Sequence, residues 1–106
     1  MNDTPYKLRF VQRFQEGKRS EFLALERKFQ ELERTVPEFP KGRRYQPYSA
    51  REPANTLIWE CEFPTLEALQ ETVRFLEGDP RHERLYKKQC QYFQDAYMEI
   101  YRGLEL

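Results

Sequence analysis

The spacing of apolar residues along this chain switches from about two residues to about 3.6 and back, twice over, and few folds accept that order. From Tyr6 to Phe14, one side carries Tyr6, Leu8, Phe10 and Phe14 and the other carries Lys7, Arg9, Val11 and Arg13, which predicts a strand. Glu16-Gly17-Lys18 breaks the alternation. Ser20 is then placed to cap a helix carried by Phe22, Leu25, Phe29, Leu32 and Val36, which Pro37 and Pro40 end. Arg43 to Ser49 reads as a second extended piece, and Pro47 suits it to a sheet edge. The clearest strand follows from Thr56 to Phe63, where Leu57, Trp59, Cys61 and Phe63 alternate with Ile58, Glu60 and Glu62. Thr65 is placed to cap a second helical region on Leu66, Leu69, Val73 and Leu76. Gly78-Asp79-Pro80 interrupts it before a further helix from Pro80 to about Ala96, and Met98 to Leu104 reads as a last strand.

Strand, helix, strand, strand, helix, strand is the ferredoxin-like βαββαβ pattern, an α+β fold. It predicts a four-stranded antiparallel sheet in order 4-1-3-2 with the helices on one face. The 106 residues suit one such domain, 1–106, with no internal repeat or linker. Aromatic residues make up 15% of the chain, so the core must draw heavily on Phe and Tyr as well as Leu.

Helices on one side leave the other sheet face to meet water or a partner. Leu8, Phe10, Leu57, Trp59, Cys61, Met98 and Ile100 form the expected helix side. Opposite them fall Arg9, Val11 and Arg13 of the first strand, Ile58, Glu60 and Glu62 of the third, and Glu99 and Tyr101 of the last. Basic residues thus face acidic ones across neighbouring central strands, as cross-strand ion pairs do. That face is either solvated or the interface of a homodimer in which two sheets pack together.

The 18 Lys and Arg balance 18 Asp and Glu, and neither Arg43-Arg44 nor Lys87-Lys88 makes a basic patch, which argues against nucleic acid as a partner. Met1 to Tyr6 lacks the apolar core of a signal peptide, and no run approaches a membrane span, so a cytoplasmic protein without a membrane partner is expected. Cys61 and Cys90 stand in no metal or redox spacing and read as two buried thiols. No metal site or cofactor is expected: His82, beside Arg81, Glu83 and Arg84, has no companion ligands and reads as a surface residue. The four glycines are scattered at turns, and neither Ser20 nor Ser49 lies in a nucleophile elbow.

Leu57-Ile58-Trp59-Glu60, with the later Leu76-Glu77-Gly78-Asp79-Pro80, resembles the aromatic third strand and Asp-Pro helix break of NIPSNAP-like proteins in the dimeric α/β barrel superfamily. Glu16-Gly17-Lys18 is similar to the Pro-Gly-Lys found there, with Glu16 in place of Pro, and Arg81-His82 stands where the family often has an acid and a Trp. The resemblance implies a homodimer whose two sheets form one barrel, each protomer holding a small-molecule cleft between helices and sheet. It also implies an alternative, because the superfamily includes cofactor-independent monooxygenases and haem-degrading enzymes that use a Trp on the third strand with an Asn and a His. Asn55, Trp59 and His82 supply those residue types, although His82 follows Trp59 by 23 residues, farther than in the haem-degrading relatives.

Trp59 otherwise reads as core packing. Tyr86 and Tyr97 would suit a cavity for an aromatic ligand, or else form with Phe93 the inner stripe of the last helix. Arg43, Arg44 and Arg51 would be solvated or hold a carboxylate. The expected function is a small homodimeric barrel, non-catalytic or binding an apolar or aromatic molecule, with Trp59, Asn55, Tyr86 and Tyr97 as cavity candidates. The alternative is a cofactor-independent monooxygenase or isomerase acting on an aromatic small molecule.

Overall fold

A computed structural model of the chain describes residues 5–106. The N-terminal reading from Met1 to Thr4 lies outside them. The elements are β1 (Tyr6–Phe14), α1 (Arg19–Thr35), β2 (Arg43–Tyr45), β3 (Thr56–Phe63), α2 (Leu66–Gly78), α3 (Pro80–Cys90) and β4 (Phe93–Arg102). The strands form one antiparallel sheet in the order β2-β3-β1-β4, so the two best-patterned strands are the central pair. This is the α+β ferredoxin-like arrangement that the periodicity predicts, with the second helical region divided in two.

Register settles which side chains share a face. Leu8 lies opposite Cys61 and Phe10 opposite Trp59 on the helix side, whereas Lys7 opposes Glu62, Arg9 opposes Glu60 and Val11 opposes Ile58 on the other. The helix-side core joins Leu8, Trp59 and Phe63 to Leu69 of α2, and Phe14 and Leu57 to Phe22 of α1. Phe14 and Phe22 stack with ring centroids 4.9 Å apart, which adds aromatic packing to the burial.

Local boundaries differ from the sequence reading for identifiable reasons. Helix α1 starts at Arg19, after a turn in which Gly17 takes the left-handed φ of 82°, so Ser20 sits inside the first turn and Lys18 is the cap position. Strand β2 stops at Tyr45, before Pro47. Helix α3 ends at Cys90 rather than near Ala96. The backbone turns through Gln91 and Tyr92, the Gln15 amide bonds the Tyr92 carbonyl, and Phe93 packs edge-on to Phe10 at 6.2 Å. The stripe of Tyr86, Phe93 and Tyr97 is therefore divided between a helix and a strand. Met98 and Ile100 lie on the helix side of the sheet but remain exposed, because β4 is an edge strand beyond the helices. Cys61 is half-buried and Cys90 exposed, so neither thiol is fully buried.

Two caps behave as their residue types dictate. Thr65 accepts a hydrogen bond from the Ala68 amide at the start of α2. Asp79 ends α2 and caps α3, accepting from the amides of Arg81 and His82 and from the Arg81 guanidinium. The Arg81 side chain foremost, and the two amides, hold the Asp79 carboxyl down from 3.8 to about 2. A carboxylate whose pKa is lower in the folded state stabilises the fold above its unfolded value and loses that contribution as pH falls through the folded one. Asp79→Ala is accordingly expected to lower stability by about 1 kcal/mol at neutral pH. In urea titrations that difference should shrink toward zero as the pH approaches about 2, whereas a pH-independent difference would show that the carboxylate charge is irrelevant.

Candidate functional site

The helices do not close down on the sheet along its whole length. A partly enclosed cleft of about 270 Å³ remains between them, walled by Phe10 of β1, Phe29 of α1, Phe39 of the following loop, Trp59 of β3, and His82 and Tyr86 of α3. The exposed wall surface is mostly apolar, but charged and amide side chains from β1, α1, β2, α2 and α3 border it as well.

Helix α1 supplies the charges. Phe22, Glu26, Phe29 and Glu33 recur at steps of four, three and four, so both glutamates lie on the same buried stripe as the two phenylalanines. Their counter-charge comes from β2, where alternation points Arg43 outward opposite Glu60 and Arg44 inward opposite Trp59. The Arg44 guanidinium reaches Glu26 at 2.7 Å and holds Glu33 with two bonds, at 3.1 and 2.7 Å. Burial opposes the charge on Arg44, but the hydrogen bonds to Glu33 and the charges of Glu26 and Glu33 outweigh it, leaving the pKa above the ordinary arginine value. Arg44 is therefore neither solvated nor free for an external carboxylate; it is committed to two carboxylates of its own chain.

Further donors complete the network. The Trp59 indole N–H donates to Glu33 at 3.1 Å, as does the Gly42 amide at 3.1 Å, and Gln89 Nε2 donates to Glu26 at 2.8 Å. Trp59 is only 8% exposed, yet its ring is both core and cleft wall. Burial foremost, together with the negative charge of Glu33, pushes the neighbouring Cys61 thiol up to about 11, so it stays protonated near neutrality. Burial likewise raises the Tyr86 phenol.

Gln12 stands apart from this network. The residue is 2% exposed and lines the cleft from β1, and no hydrogen bond joins its amide to another described residue, although the fully enclosed side-chain atoms without a partner are Arg13 Nε and Thr56 Oγ1. A buried amide usually finds partners, which makes this one conspicuous.

The residues singled out from the sequence are distributed as follows. Trp59 and Tyr86 line the cleft. Asn55 does not: it lies just before β3, and its amide donates to the Phe14 carbonyl at 2.6 Å, pinning the end of β1. Tyr97 lies opposite Val11 on the helix-free face and donates to Glu52 at 2.7 Å. His82 is not a surface residue, since the turn at Asp79-Pro80 folds α3 back over the sheet and sets the imidazole 5.3 Å from the Phe29 ring and 5.9 Å from that of Tyr86. Trp59 and His82 thus share one cleft despite their separation along the chain, without the asparagine.

On the helix-free face, Arg9 reaches Glu60 at 2.8 Å and Glu99 at 3.3 Å, and Lys7 reaches Glu60 at 3.4 Å. Glu62 pairs with Lys7, and Arg13 with Asp95. Val11 is 3% exposed within one chain, whereas Tyr45, Tyr97 and Tyr101 remain open on the same face.

No family model matches this sequence, and no curated protein is similar to it at a significant level. Solved structures do match. A NIPSNAP family protein from Agrobacterium tumefaciens superposes with a TM-score of 0.74 at 16% identity, over 92% of this chain and 90% of that one. A NIPSNAP domain protein from Burkholderia xenovorans, itself uncharacterised, gives 0.71 at 14% identity, over 92% and 91%. A Nitrosomonas europaea protein, provisionally named as an antibiotic biosynthesis monooxygenase, gives 0.70 at 11% identity, over 98% and 94%. The chain therefore has the fold that NIPSNAP proteins and monooxygenase-like dimeric α/β barrels share, as the resemblance in its sequence implies.

Proposed function

We propose that this chain forms a homodimeric α/β barrel and that each protomer binds a small apolar or aromatic molecule in the cleft between sheet and helices. The observation that carries the reading is the cleft itself: its volume of about 270 Å³ and mostly apolar wall surface, with several aromatic rings, suit a compact ligand. Trp59 is the single tryptophan, so its emission reports on the cleft directly. Titration with a small aromatic probe such as 3-phenylpropan-1-ol is expected to change that emission saturably. Emission untouched by small aromatics at millimolar concentration would remove the ligand reading.

The dimer is supported by the helix-free face and by β4, an edge strand ten residues long that exposes Tyr97 and Tyr101 on one side and Met98 and Ile100 on the other. Long unprotected edges and apolar strands are ordinarily covered. Light scattering is expected to give twice the chain mass at micromolar concentration. Arg9→Ala is expected to weaken association by roughly tenfold or more, because Glu99 would lose its basic partner and Glu60 would keep only Lys7 inside the interface. A monomeric wild type would overturn the barrel, and an unchanged Arg9→Ala dimer would mean that this face stays wet.

A cytoplasmic location without a nucleic-acid partner completes the reading, supported by the charge balance and by two thiols that form no disulfide with each other. No described helix is long and apolar enough to cross a membrane. A second reading, a cofactor-independent oxygenase or isomerase, is favoured by one observation, the placement of Trp59, His82 and Tyr86 around one cleft.

A further inference from the structure

Resting on the ligand-binding reading above, we infer that the cleft is built for an organic cation: a protonated amine carried on an aromatic or branched apolar body. The sign of the lining is the first argument. Four carboxylates, Glu26, Glu33, Glu77 and Glu83, face one guanidinium, Arg44, so the wall stays negative even when His82 carries a proton. Pairing does not remove the imbalance, since Arg44 is shared between Glu26 and Glu33, the remaining bond to Glu26 comes from the neutral amide of Gln89, and Glu83 meets only the His82 ring at 3.1 Å, which leaves Glu77 over. Three of the guanidinium's five N–H bonds are already given to those glutamates, so its charge is committed before any carboxylate ligand arrives.

Gln12 is the second, independent argument. Its amide is nearly inaccessible to bulk water, belongs to the cleft wall and lacks a partner among the described residues, as a group reserved for a ligand would. Its carbonyl oxygen accepts the kind of N–H that an ammonium offers. The third argument is the wall material: Phe10, Phe29, Phe39, Trp59 and Tyr86 all border the cleft, and the face of an aromatic ring attracts a cation and repels an anion.

Three probes of matched shape test this on the full chain through Trp59 emission: 3-phenylpropylammonium, 3-phenylpropan-1-ol and 3-phenylpropionate. The cation is expected to bind roughly tenfold tighter than the alcohol, the usual margin of a charge-assisted over a neutral hydrogen bond, and the anion weakest. Equal binding of amine and alcohol, or tightest binding of the anion, overturns the inference while leaving the ligand cleft standing. Failure of all three overturns the cleft reading and the inference together. Two variants separate the terms. Glu83→Gln, at an exposed site on the rim, is expected to weaken only the amine, by roughly threefold. Gln12→Leu, of similar volume and apolar, is expected to weaken amine and alcohol alike; a folded Gln12→Leu protein that binds both as before excludes Gln12 from the site.

Discussion

Arg44→Ala is expected to cost about 3 to 5 kcal/mol of folding stability, the range for removing one partner from a buried ion pair. A domain of this size has on the order of 5 to 15 kcal/mol in total, so the variant should be close to unfolding at room temperature. The reason lies in what remains behind. Glu33 would keep the Trp59 indole and the Gly42 amide, and Glu26 the Gln89 amide, but neither carboxylate would have a counter-charge in the interior. Arg44→Lys restores the charge without the planar fork that holds Glu33 twice, so it should fall between the two. Urea denaturation measures all three proteins. A loss of under about 1 kcal/mol in Arg44→Ala, the worth of an exposed pair, would show that the network is solvated and contributes little.

Gly42→Ala should be nearly as damaging, for a steric reason. A Cβ on residue 42 would lie 2.0 Å from Trp59 Nε1 and 2.1 Å from Cε2, far inside van der Waals contact. Either the indole ring or the chain after Phe39 must move, and Glu33 then loses its bond from Trp59, from Gly42, or from both. Overpacking costs about 1 to 3 kcal/mol and a lost buried hydrogen bond about 1 more. Trp59 emission should shift to the red as the ring becomes hydrated. Gly78→Ala is the matched control, since nothing lies within 4 Å of its Cβ position. It should leave the emission maximum in place and change stability by under about 1 kcal/mol. An unshifted emission maximum in Gly42→Ala would mean that the ring does not rest on that glycine.

How far the residues themselves foretell this site depends on which rule they obey. Periodicity places the strands and helices because each buried stripe is mostly apolar, and sheet order follows from the order of elements. The same rule conceals Glu26 and Glu33. A charged residue on a helix is ordinarily solvated, so the inward set reads as Phe22, Leu25, Phe29, Leu32 and Val36, whereas the buried residues are Phe22, Glu26, Phe29 and Glu33. The available signal is their coincidence with the two phenylalanines, four, three and four residues apart, together with an arginine pair on an edge strand that must send one member inward. His82 is concealed differently. Its distance along the chain from Trp59 says nothing once Asp79-Pro80 turns α3 back across the sheet. Asn55 and Tyr97 mislead because residue type alone carries no direction: one side chain serves a strand end, and the other points to the opposite face.

The ladder of charges on the helix-free face also guards against misalignment. In strands that alternate apolar and polar residues, a slip of one position is prohibitive because it inverts both faces, but a slip of two preserves them and is resisted only weakly by hydrophobicity. Here β1 and β3 pair Lys7 with Glu62, Arg9 with Glu60 and Val11 with Ile58. Moving β3 two residues one way sets Val11 against Glu60 and Arg13 against Ile58; moving it two the other way sets Arg9 against Ile58 and leaves Glu62 without a basic partner. Each wrong alignment mates a charge with a hydrocarbon. The ionic rungs thus act as a second, coarser code laid over the alternation, rejecting the even-numbered errors that the alternation cannot detect.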